Sequence, residues 1–389
     1  MLLRRCLFVP LFALVALLSL SGVSAAHRSS LEVVASGLDN PRGLDIGHWG
    51  QIYVAEAGRG GDGPCVGSDE EEGVVCAGAS GAVTKIWHGK QRRVVKHLPS
   101  LATPGSEATP ESEAIEAGSN AIGPSDISLG LFSAYLTVGL GQNPAVRDGL
   151  GPLGQGLGKL YRVSPFGRVR AVADISAYEA AANPDGNTEE GGIDSNPNSV
   201  LARPAHRYVV DAGANDLLRV GPTGRIRTVA VFPQRIVPAP PGIPDLPEGT
   251  EIPMQAVPTN VVQGPDGALY VSQLTGFPFP MGGANVYRVD RRGGAPTVYA
   301  SGFTNITDLA FGPDGSLYVV EIATNGLLSG DPTGALKRIA PDGSVSEDLA
   351  NGELKSPYGV AVSRKGDIYV SNHGTEARTG EVVRVNPGG

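Results

Sequence analysis

The stretches PTNVVQGPDGALYV at 258–271 and ITDLAFGPDGSLYV at 306–319 decide the fold, because they match over their full length without a gap. Each places alternating apolar and polar residues before a Gly-Pro-Asp-Gly turn and a Tyr-Val strand after it, which is the pattern of a β-hairpin. Four looser copies begin at Pro41, Pro124, Pro197 and Pro357, the middle two with a one-residue shift. The chain therefore contains six copies of one unit.

Each unit continues beyond this hairpin, so the repeat predicts four antiparallel strands. In the second unit a third strand covers 158–163, a turn follows at 165–167, and a fourth strand covers 169–173. Six such units predict an all-β fold, a six-bladed β-propeller over residues 26–389.

The two ends of the repeat region are complementary. The last unit stops after its third strand at Val385, and an unassigned strand at 31–35 precedes the first unit. We expect the N-terminal strand to close the final blade, which removes an open sheet edge. An open array of sheets is the alternative, and it leaves both ends unexplained.

Residues 1–25 have the features of a secretory signal peptide. Arg4 and Arg5 precede an apolar run at 7–20, and 23–25 (VSA) offers a cleavage pattern after Ala25. We expect a secreted, periplasmic or cell-envelope protein with no membrane span after cleavage; a retained N-terminal anchor is the alternative. The 389-residue chain has a net charge of −8 and no basic stripe, which argues against nucleic acid as its partner. We expect a monomer whose partner is a small molecule or a protein.

Removal of that peptide leaves two cysteines, Cys65 and Cys76, which flank the acidic segment 67–73. An even count in an oxidising compartment predicts a disulfide bond between them. A zinc site is the weaker alternative, because no histidine or further cysteine lies nearby in the sequence to complete four ligands.

Loop length differs between the two ends of the predicted blades. The first and third turns of each unit are short, whereas the middle turns and the connections between units are long, as at 58–80, 99–122 and 233–257. In an up-and-down blade the long segments share one face, here called the long-loop face, and the short turns share the other, the short-turn face. Because variable loops on a rigid scaffold usually carry binding and chemistry, we expect the functional site on the long-loop face.

Two positions in each unit are expected to ring the central channel. The position in the inner strand is occupied by Gly43, Asp126, Ser199, Asn260, Asp308 and Gly359. The position that ends the second strand is occupied by Glu56, Gly139, Asp211, Gln273, Glu321 and Asn372. An oxygen-rich ring suits calcium or magnesium, and a solvated polar channel is the alternative. The candidate metal ligands are Glu56, Asp126, Asp211 and Asp308.

Three other features are candidates for chemistry or binding. His373 and Glu321 are candidate general bases if the protein is an enzyme. Phe277 and Phe279, in a proline-rich loop, are candidates for the apolar wall of a ligand pocket. The segment 183–194 has part of a calcium-loop spacing, but Thr188 stands where that loop requires glycine.

Several segments together give the chain a resemblance to the ScyD/ScyE family, over nearly all of the mature chain. They are 55–61 (AEAGRGG) with Pro64 and Cys65, 211–220 (DAGANDLLRV), 274–280 (LTGFPFP) and 303–311 (FTNITDLAF). The resemblance implies an exported six-bladed propeller and assigns no reaction.

More distantly the chain resembles NHL-repeat, gluconolactonase/regucalcin and streptogramin-lyase propellers. In the gluconolactonase group, acidic and amide residues just before the inner-strand glycine hold a metal. The matching positions here are Arg42, Ser125, Asn198, Thr259, Thr307 and Tyr358. Among these only Asn198 is a usual ligand, so the departure argues against a lactonase-type site.

Two functional hypotheses follow. The first is a binding scaffold for a small molecule or protein, with contacts at the channel mouth on the long-loop face. Its candidate residues are Glu56, Asp211, Asn260, Asp308, Glu321, Asn372, Phe277 and Phe279. The alternative is a calcium- or magnesium-dependent hydrolase or lyase that uses an acidic channel ring. The sequence contains no Gly-x-Ser-x-Gly, Ser-x-x-Lys, phosphate-loop or dinucleotide-binding motif, which limits the reaction classes.

Overall fold

A computed structural model describes residues 30–67, 73–106, 115–187, 192–240, 247 and 249–387. The predicted signal peptide lies outside these residues. None of the helices in the described part of the chain is both long enough and apolar enough to span a membrane.

The chain folds into small antiparallel sheets arranged as a six-bladed β-propeller, which confirms the predicted fold class. Strand β1 (Leu31–Leu38) precedes the first blade. Blade one contains β2 (Pro41–Ile46), β3 (Ile52–Glu56), β4 (Cys65–Gly67), β5 (Val74–Trp87) and β6 (Lys90–Ala102). Blade two contains β7 (Pro124–Leu129), β8 (Ala134–Val138), β9 (Lys159–Val163) and β10 (Val169–Asp174). Blade three contains β11 (Pro197–Ala202), β12 (Arg207–Asp211), β13 (Asp216–Val220) and β14 (Ile226–Val231).

The remaining blades follow after a two-stranded hairpin in the connecting loop, formed by β15 (Arg235–Pro238) and β16 (Glu251–Met254). Blade four contains β17 (Pro258–Gln263), β18 (Leu269–Gln273), β19 (Ala284–Val289) and β20 (Thr297–Phe303). Blade five contains β21 (Ile306–Phe311), β22 (Leu317–Glu321) and β23 (Ala335–Ile339). Blade six contains β24 (Val360–Val362), β25 (Ile368–Asn372) and β26 (Gly380–Val385). The helices are short: α1 (Gly151–Gly154), α2 (Ile175–Ala182), and the 3₁₀ turns Pro144–Asp148 and Leu327–Ser329.

The outer strand of blade five is reduced to a short segment. Val345 forms a single bridge with Ile339, and the amides of Ser346 and Leu349 donate to the carbonyls of Arg338 and Leu336. This segment occupies the fourth-strand position of the blade.

The N-terminal strand closes the ring as predicted, because β1 pairs antiparallel with β26. Just before it, the amide of Ser30 donates to Glu353 Oε1 (2.9 Å) and its hydroxyl to the Ala350 carbonyl (3.1 Å). Blade six therefore consists of three C-terminal strands and one N-terminal strand.

Six apolar clusters hold the ring together, one at each junction between neighbouring blades. The cluster between blades three and four, for example, packs Tyr208 and Leu217 against Val261 and Leu269. The other five junctions have equivalent clusters of buried residues. The hydrophobic core is thus divided into six wedges between sheets rather than placed at the centre.

The predicted disulfide bond joins Cys65 to Cys76 across the paired strands β4 and β5. It lies at the base of a long-loop-face excursion in blade one. On the loop-entropy model a link closing a segment of this size stabilises the fold by about 2–3 kcal/mol.

Removing apolar volume from the closing strand tests how much ring closure contributes. Leu38 is buried (1% exposed) in the cluster between blades six and one, whereas Val33 on the same strand is 54% exposed. Leu38→Ala is expected to lower the free energy of unfolding by about 2–5 kcal/mol, and Val33→Ala by well under about 1 kcal/mol. Denaturant unfolding monitored by circular dichroism measures both values. Similar values for the two variants would mean that β1 adds little to the ring.

Candidate functional site

One backbone hydrogen bond recurs at the long-loop end of every blade. In blades one to five the residue before the inner strand accepts, through its carbonyl, the amide of the residue that follows the second strand. In blade six the equivalent bond runs from the second residue after β25 to Ser356, which lies four residues before β24. The six amide-to-carbonyl pairs are Ala57–Asn40, Gly139–Gly123, Ala212–Asn196, Leu274–Val257, Ile322–Asn305 and Gly374–Ser356, at 2.8–3.1 Å. This bond fixes the backbone at the point where the two long loops of each blade meet the sheet.

Most of the residues predicted to end the second strand and ring the channel reinforce that junction. Four of their side chains accept the amide of a residue just before an inner strand. The pairs are Glu56 with Asp39 (2.9 Å), Asp211 with Asn196 (2.6 Å), Glu321 with Thr304 (2.7 Å) and Asn372 with Lys355 (2.7 Å). These four candidate contact residues are almost fully buried and take part in the architecture of the blades.

Glu56 is the centre of the most extensive of these contacts. It accepts from Thr84 Oγ1 (2.6 Å) and pairs with Arg93 Nη2 (2.5 Å), and the same guanidinium contacts Asp39 (2.9 Å). Arg59 also contacts Asp39 (3.1 Å). Glu321 forms a similar but smaller pair with Lys337 Nζ (2.8 Å).

The other predicted set, from the inner strands, does line the axis. Asp126 and Asp308 belong to blades two and five, on opposite sides of the ring, and each reaches across to the next blade. Asp126 Oδ2 accepts the amide of Val200 (2.9 Å), and Asp308 Oδ2 accepts the amide of Val360 (2.7 Å). Gly43 is required beside them, because a Cβ there would lie 2.2 Å from Asp126 Oδ1.

Asn260 and Ser199 complete the axial layer. Asn260 Nδ2 donates to Ser199 Oγ (3.1 Å), which in turn donates to Asp126 Oδ2 (2.9 Å). Burial raises the pKa of Asp126 to about 6, and burial together with Asp126 raises the pKa of Asp308. The free space in this layer is about 10 Å³, and it widens to about 200 Å³ towards the short-turn face.

On the other side of this layer, towards the long-loop face, a stacked pair of side chains narrows the axis. The Arg42 guanidinium lies 4.2 Å from the centre of the Tyr358 ring, and Tyr358 donates its hydroxyl to Asn198 Oδ1 (3.1 Å). Arg42 also donates to the Ala121 carbonyl (2.8 Å). At the positions that would hold a lactonase-type metal, the side chains of Arg42, Asn198 and Tyr358 therefore fill this part of the axis.

The other candidates lie apart from the axial layer. His373 Nδ1 is 2.8 Å from Glu376 Oε1 in the loop after β25. Phe277 and Phe279 meet edge to face, with ring centres 6.3 Å apart, and Phe277 is 45% exposed. Their loop is tied to blade three's connection, because the Gly276 amide donates to the Gln255 carbonyl (2.9 Å).

The long-loop face has a polar pocket where blades three and four meet, which the sequence did not predict. The pocket has a volume of about 220 Å³, and Asp185, Asn215, Gln255 and Phe232 are among its lining residues. Asn215 Nδ2 organises the wall, since it donates to both Asp185 Oδ2 (3.0 Å) and Gln255 Oε1 (2.9 Å). We call it the blade-three pocket. Only the calcium-like spacing around Asp185 signalled it in the sequence.

Buried carboxyl groups lie beside this pocket. Asp216 lies opposite Asp211 on one neighbouring strand and opposite the pocket residue Val231 on the other. Both of its carboxyl oxygens are buried and have no hydrogen-bond partner among the described residues. Burial, with the nearby charges of Asp211 and Asp185, raises the pKa of Glu179 to about 8. Burial also raises the pKa of Asp211 to about 6 and that of Asp216 well above its usual range. No lysine, arginine or histidine of the described residues is ion-paired with these carboxyls.

The four candidate metal ligands occupy three places. Asp126 and Asp308 lie in the axial layer, Glu56 is ion-paired in blade one, and Asp211 lies beside the blade-three pocket. In the described part of the chain, no three acidic, histidine or cysteine side chains come together as a ready metal-binding group.

Comparison with solved structures identifies similar propeller folds at low sequence identity. A Bacteroides thetaiotaomicron protein of unknown function is 9% identical, with a TM-score of 0.51, covering 91% of this chain and 75% of that one. The aldose sugar dehydrogenase of Streptomyces coelicolor, in its PQQ-bound form, is 14% identical, with a TM-score of 0.49 and coverage of 92% and 98%. A streptogramin B lyase is 12% identical, with a TM-score of 0.46 and coverage of 91% and 97%.

At these identities the likeness concerns the fold alone. Neither a scan of protein-family models nor a search of curated proteins finds a match to the chain.

The buried ion pair in blade one gives a test of its structural role. Glu56→Ala is expected to lower the free energy of unfolding by about 3 kcal/mol, because Arg93 loses its partner and the Asp39 amide loses its acceptor. Glu381→Ala, at a half-buried carboxylate in β26, is the control and is expected to change stability by about 0.5 kcal/mol or less. Urea unfolding of both variants measures the difference. Equal effects would contradict a special role for Glu56.

The raised pKa of Glu179 predicts a pH-dependent stability. A carboxyl with a higher pKa in the folded state holds its proton more tightly there, so stability falls as the pH rises from the ordinary carboxyl range towards about 8. Glu179→Gln has no carboxyl group at this position, so the variant should not lose this stability as the pH rises. The melting temperature of the variant relative to the native protein should therefore increase between about pH 5 and pH 8.

Exposed Glu347 provides the matched control for this experiment. Glu347→Gln should shift the melting temperature by the same small amount at every pH. Parallel curves for Glu179→Gln and the native protein would contradict the assignment.

Proposed function

We propose that the protein is an exported binding scaffold, similar to the ScyD/ScyE family, that holds a small cationic ligand on its long-loop face. The site is the blade-three pocket with the neighbouring loop of Phe277 and Phe279. The proposal keeps the predicted face and the predicted aromatic wall, and it adds the chemistry of the ligand.

One observation carries the proposal: uncompensated buried carboxyls lie beside an open polar pocket. Burying a carboxyl group without a donor or a counter-charge is unfavourable, so the folded chain gains stability when a cation approaches. Asp185 joins the two features, because it lines the pocket and its charge raises the pKa of both Glu179 and Asp216.

The shape of the pocket supports a compact ligand. Its volume of about 220 Å³ is below the usual range for drug-sized molecules, and amide and carboxylate groups outnumber the apolar Phe232 and Val231 in the wall. An amine or guanidine head group can donate to Asp185 and Gln255, and the loop that carries Phe277 and Phe279 is joined to Gln255 through the Gly276 amide.

The contacts of the predicted channel-mouth residues also favour binding over catalysis. Glu321 and Asn372, named as candidate contacts, both hold backbone amides at blade junctions. Asp211 also holds a backbone amide, that of Asn196, but it lies opposite Asp216 beside the pocket. The loop of Phe277 and Phe279 is joined to the pocket residue Gln255 through the Gly276 amide.

A calcium- or magnesium-dependent hydrolase or lyase is the second candidate. It is favoured by the pKa values of Asp211 and Glu179, which are raised towards neutrality beside a pocket, as is common for acid–base groups. In that case the divalent ion rather than an organic cation would bring the carboxyls together.

Thermal-shift and calorimetric titrations with putrescine, spermidine, L-arginine amide and calcium chloride distinguish the candidates. The native protein should bind at least one organic cation, and more tightly as the pH rises through the carboxyl pKa values. Asp185→Asn should weaken that binding roughly tenfold, because the pocket wall loses its charge. Phe279→Ala should weaken only ligands that carry an apolar part.

The control is Asp342→Asn, in an exposed turn on the short-turn face, which should leave binding unchanged. A response to calcium alone, abolished in Asp185→Asn, would favour the metal-dependent candidate. Affinity unchanged in both Asp185→Asn and Phe279→Ala would overturn the proposed site.

A further inference from the structure

An ion pair recurs at the same place on the short-turn face of blades four, five and six. In each of these blades an arginine of the third strand contacts an aspartate at or beside the first turn. The pairs are Arg288–Asp266 (2.8 Å), Arg338–Asp314 (2.8 Å) and Arg384–Asp367 (2.7 Å). The positive charge on this side of the ring is thus compensated within each blade.

Blades two and three keep the arginines but lack the aspartates. Their first turns are 130–133 (GLFS) and 203–206 (RPAH), the two copies that deviate most from the repeat. Arg162 of blade two donates to Ser133 Oγ (2.8 Å), and Arg219 of blade three lies 3.5 Å from His206 Nδ1. The deviation in sequence therefore leaves positive charge uncompensated on one side of the short-turn face.

A groove of about 750 Å³ opens at this place, between the turns of blades one, two and three, and Arg364 reaches it from the first turn of blade six. Four guanidinium groups line it, from Arg162, Arg203, Arg207 and Arg364. Among the described residues, none of the four forms an ion pair with a carboxylate. We call it the arginine groove.

Two of these arginines have a buried N–H group that lacks a hydrogen-bond acceptor among the described residues. The Nε atoms of Arg203 and Arg207 are buried and have no hydrogen-bond partner in the described residues. Arg207 stacks on Tyr135, with its guanidinium carbon 3.9 Å from the ring centre. Burial lowers the pKa of both groups, and for Arg203 the nearby charge of Asp45 offsets only part of this effect.

The acidic side chain that lines the groove is already hydrogen-bonded to the backbone. Asp45 lines the groove, but its two oxygens accept the amides of Ile46 and Leu129, at 2.7 Å each. It contributes one negative charge against four positive ones.

The outer wall of the groove is apolar and exposed. Leu131 and Phe132, which occupy the turn where blades four to six have an aspartate at or beside it, are 79% and 80% exposed. Exposed aromatic side chains next to a charged site provide contact area for the uncharged part of a ligand.

We propose that the arginine groove binds a small organic anion, a carboxylate, sulfate ester or phosphate ester attached to an apolar or aromatic group. This is a second site, on the face opposite the blade-three pocket, and it does not depend on the proposed function. Guanidinium groups bind such oxyanions bidentately, and a groove of this volume matches a small molecule.

Isothermal titration at pH 7 and low salt with inorganic phosphate, citrate and phenyl phosphate tests the proposal. Phenyl phosphate should bind more tightly than inorganic phosphate, because Phe132 and Leu131 contact the ring. Arg207→Met removes the guanidinium but retains an unbranched apolar chain beside Tyr135, and it should weaken binding roughly tenfold. Phe132→Asp restores a turn carboxylate in blade two and should weaken binding at least as much.

Arg288→Met is the matched control, because Arg288 occupies in blade four the third-strand position that Arg162 occupies in blade two, and it is paired with Asp266. It should leave the affinity unchanged, as should Asp185→Asn in the blade-three pocket. An equal loss in Arg288→Met and Arg207→Met would overturn the proposal, since it would indicate nonspecific charge attraction. So would the absence of binding by the native protein at millimolar probe, or tighter binding of a single-stranded oligonucleotide than of phenyl phosphate.

Discussion

The hydrogen bond between the residue after the second strand and the residue before the inner strand is the constraint on which the rest of the ring depends. It occurs in blades one to five, and blade six has the equivalent bond. It turns the chain from one sheet into the next at a fixed place, and in four blades a buried side chain strengthens the same junction. Because the junction is rigid, the loops beyond it vary in length without disturbing the sheets, and the wedge-shaped apolar clusters between blades keep their shape.

The architecture was accessible from the sequence because it depends on local, repeated signals. The turn at 264–267 and the strand containing Tyr270 recur with the same spacing, so the number of blades and the closure by β1 followed from counting. The cysteine pair was equally accessible. The site was only partly accessible. Glu56 and Asp211 have the residue types of ligands, but a one-dimensional pattern does not distinguish a carboxylate that faces a channel from one that accepts a backbone amide. Asp185 and Gln255 meet Asn215 only because loops from separate parts of the chain converge there.

Deviations from the repeat locate both proposed sites. Blade three has a helix-containing connection before it and a hairpin-containing connection after it, and Glu179 and Asp185 lie in the first of these. On the opposite face, the turns of blades two and three replace an aspartate by apolar or basic residues, and the partner arginines stay in place. In a pseudo-symmetric molecule the regular contacts serve stability, so the positions where the regular contact is missing become candidates for interaction with other molecules.

Pairing of β1 with β26 joins segments that are separated by almost the entire chain. Contacts of such high sequence separation form late, after the cost of closing a very long loop has been met. Five blades can assemble as their residues become available, but the sixth cannot be completed until the last strand is present. The last blade is therefore completed only when the C-terminal strand is present, and a chain that is truncated before Gly380 leaves β1 without its partner strand.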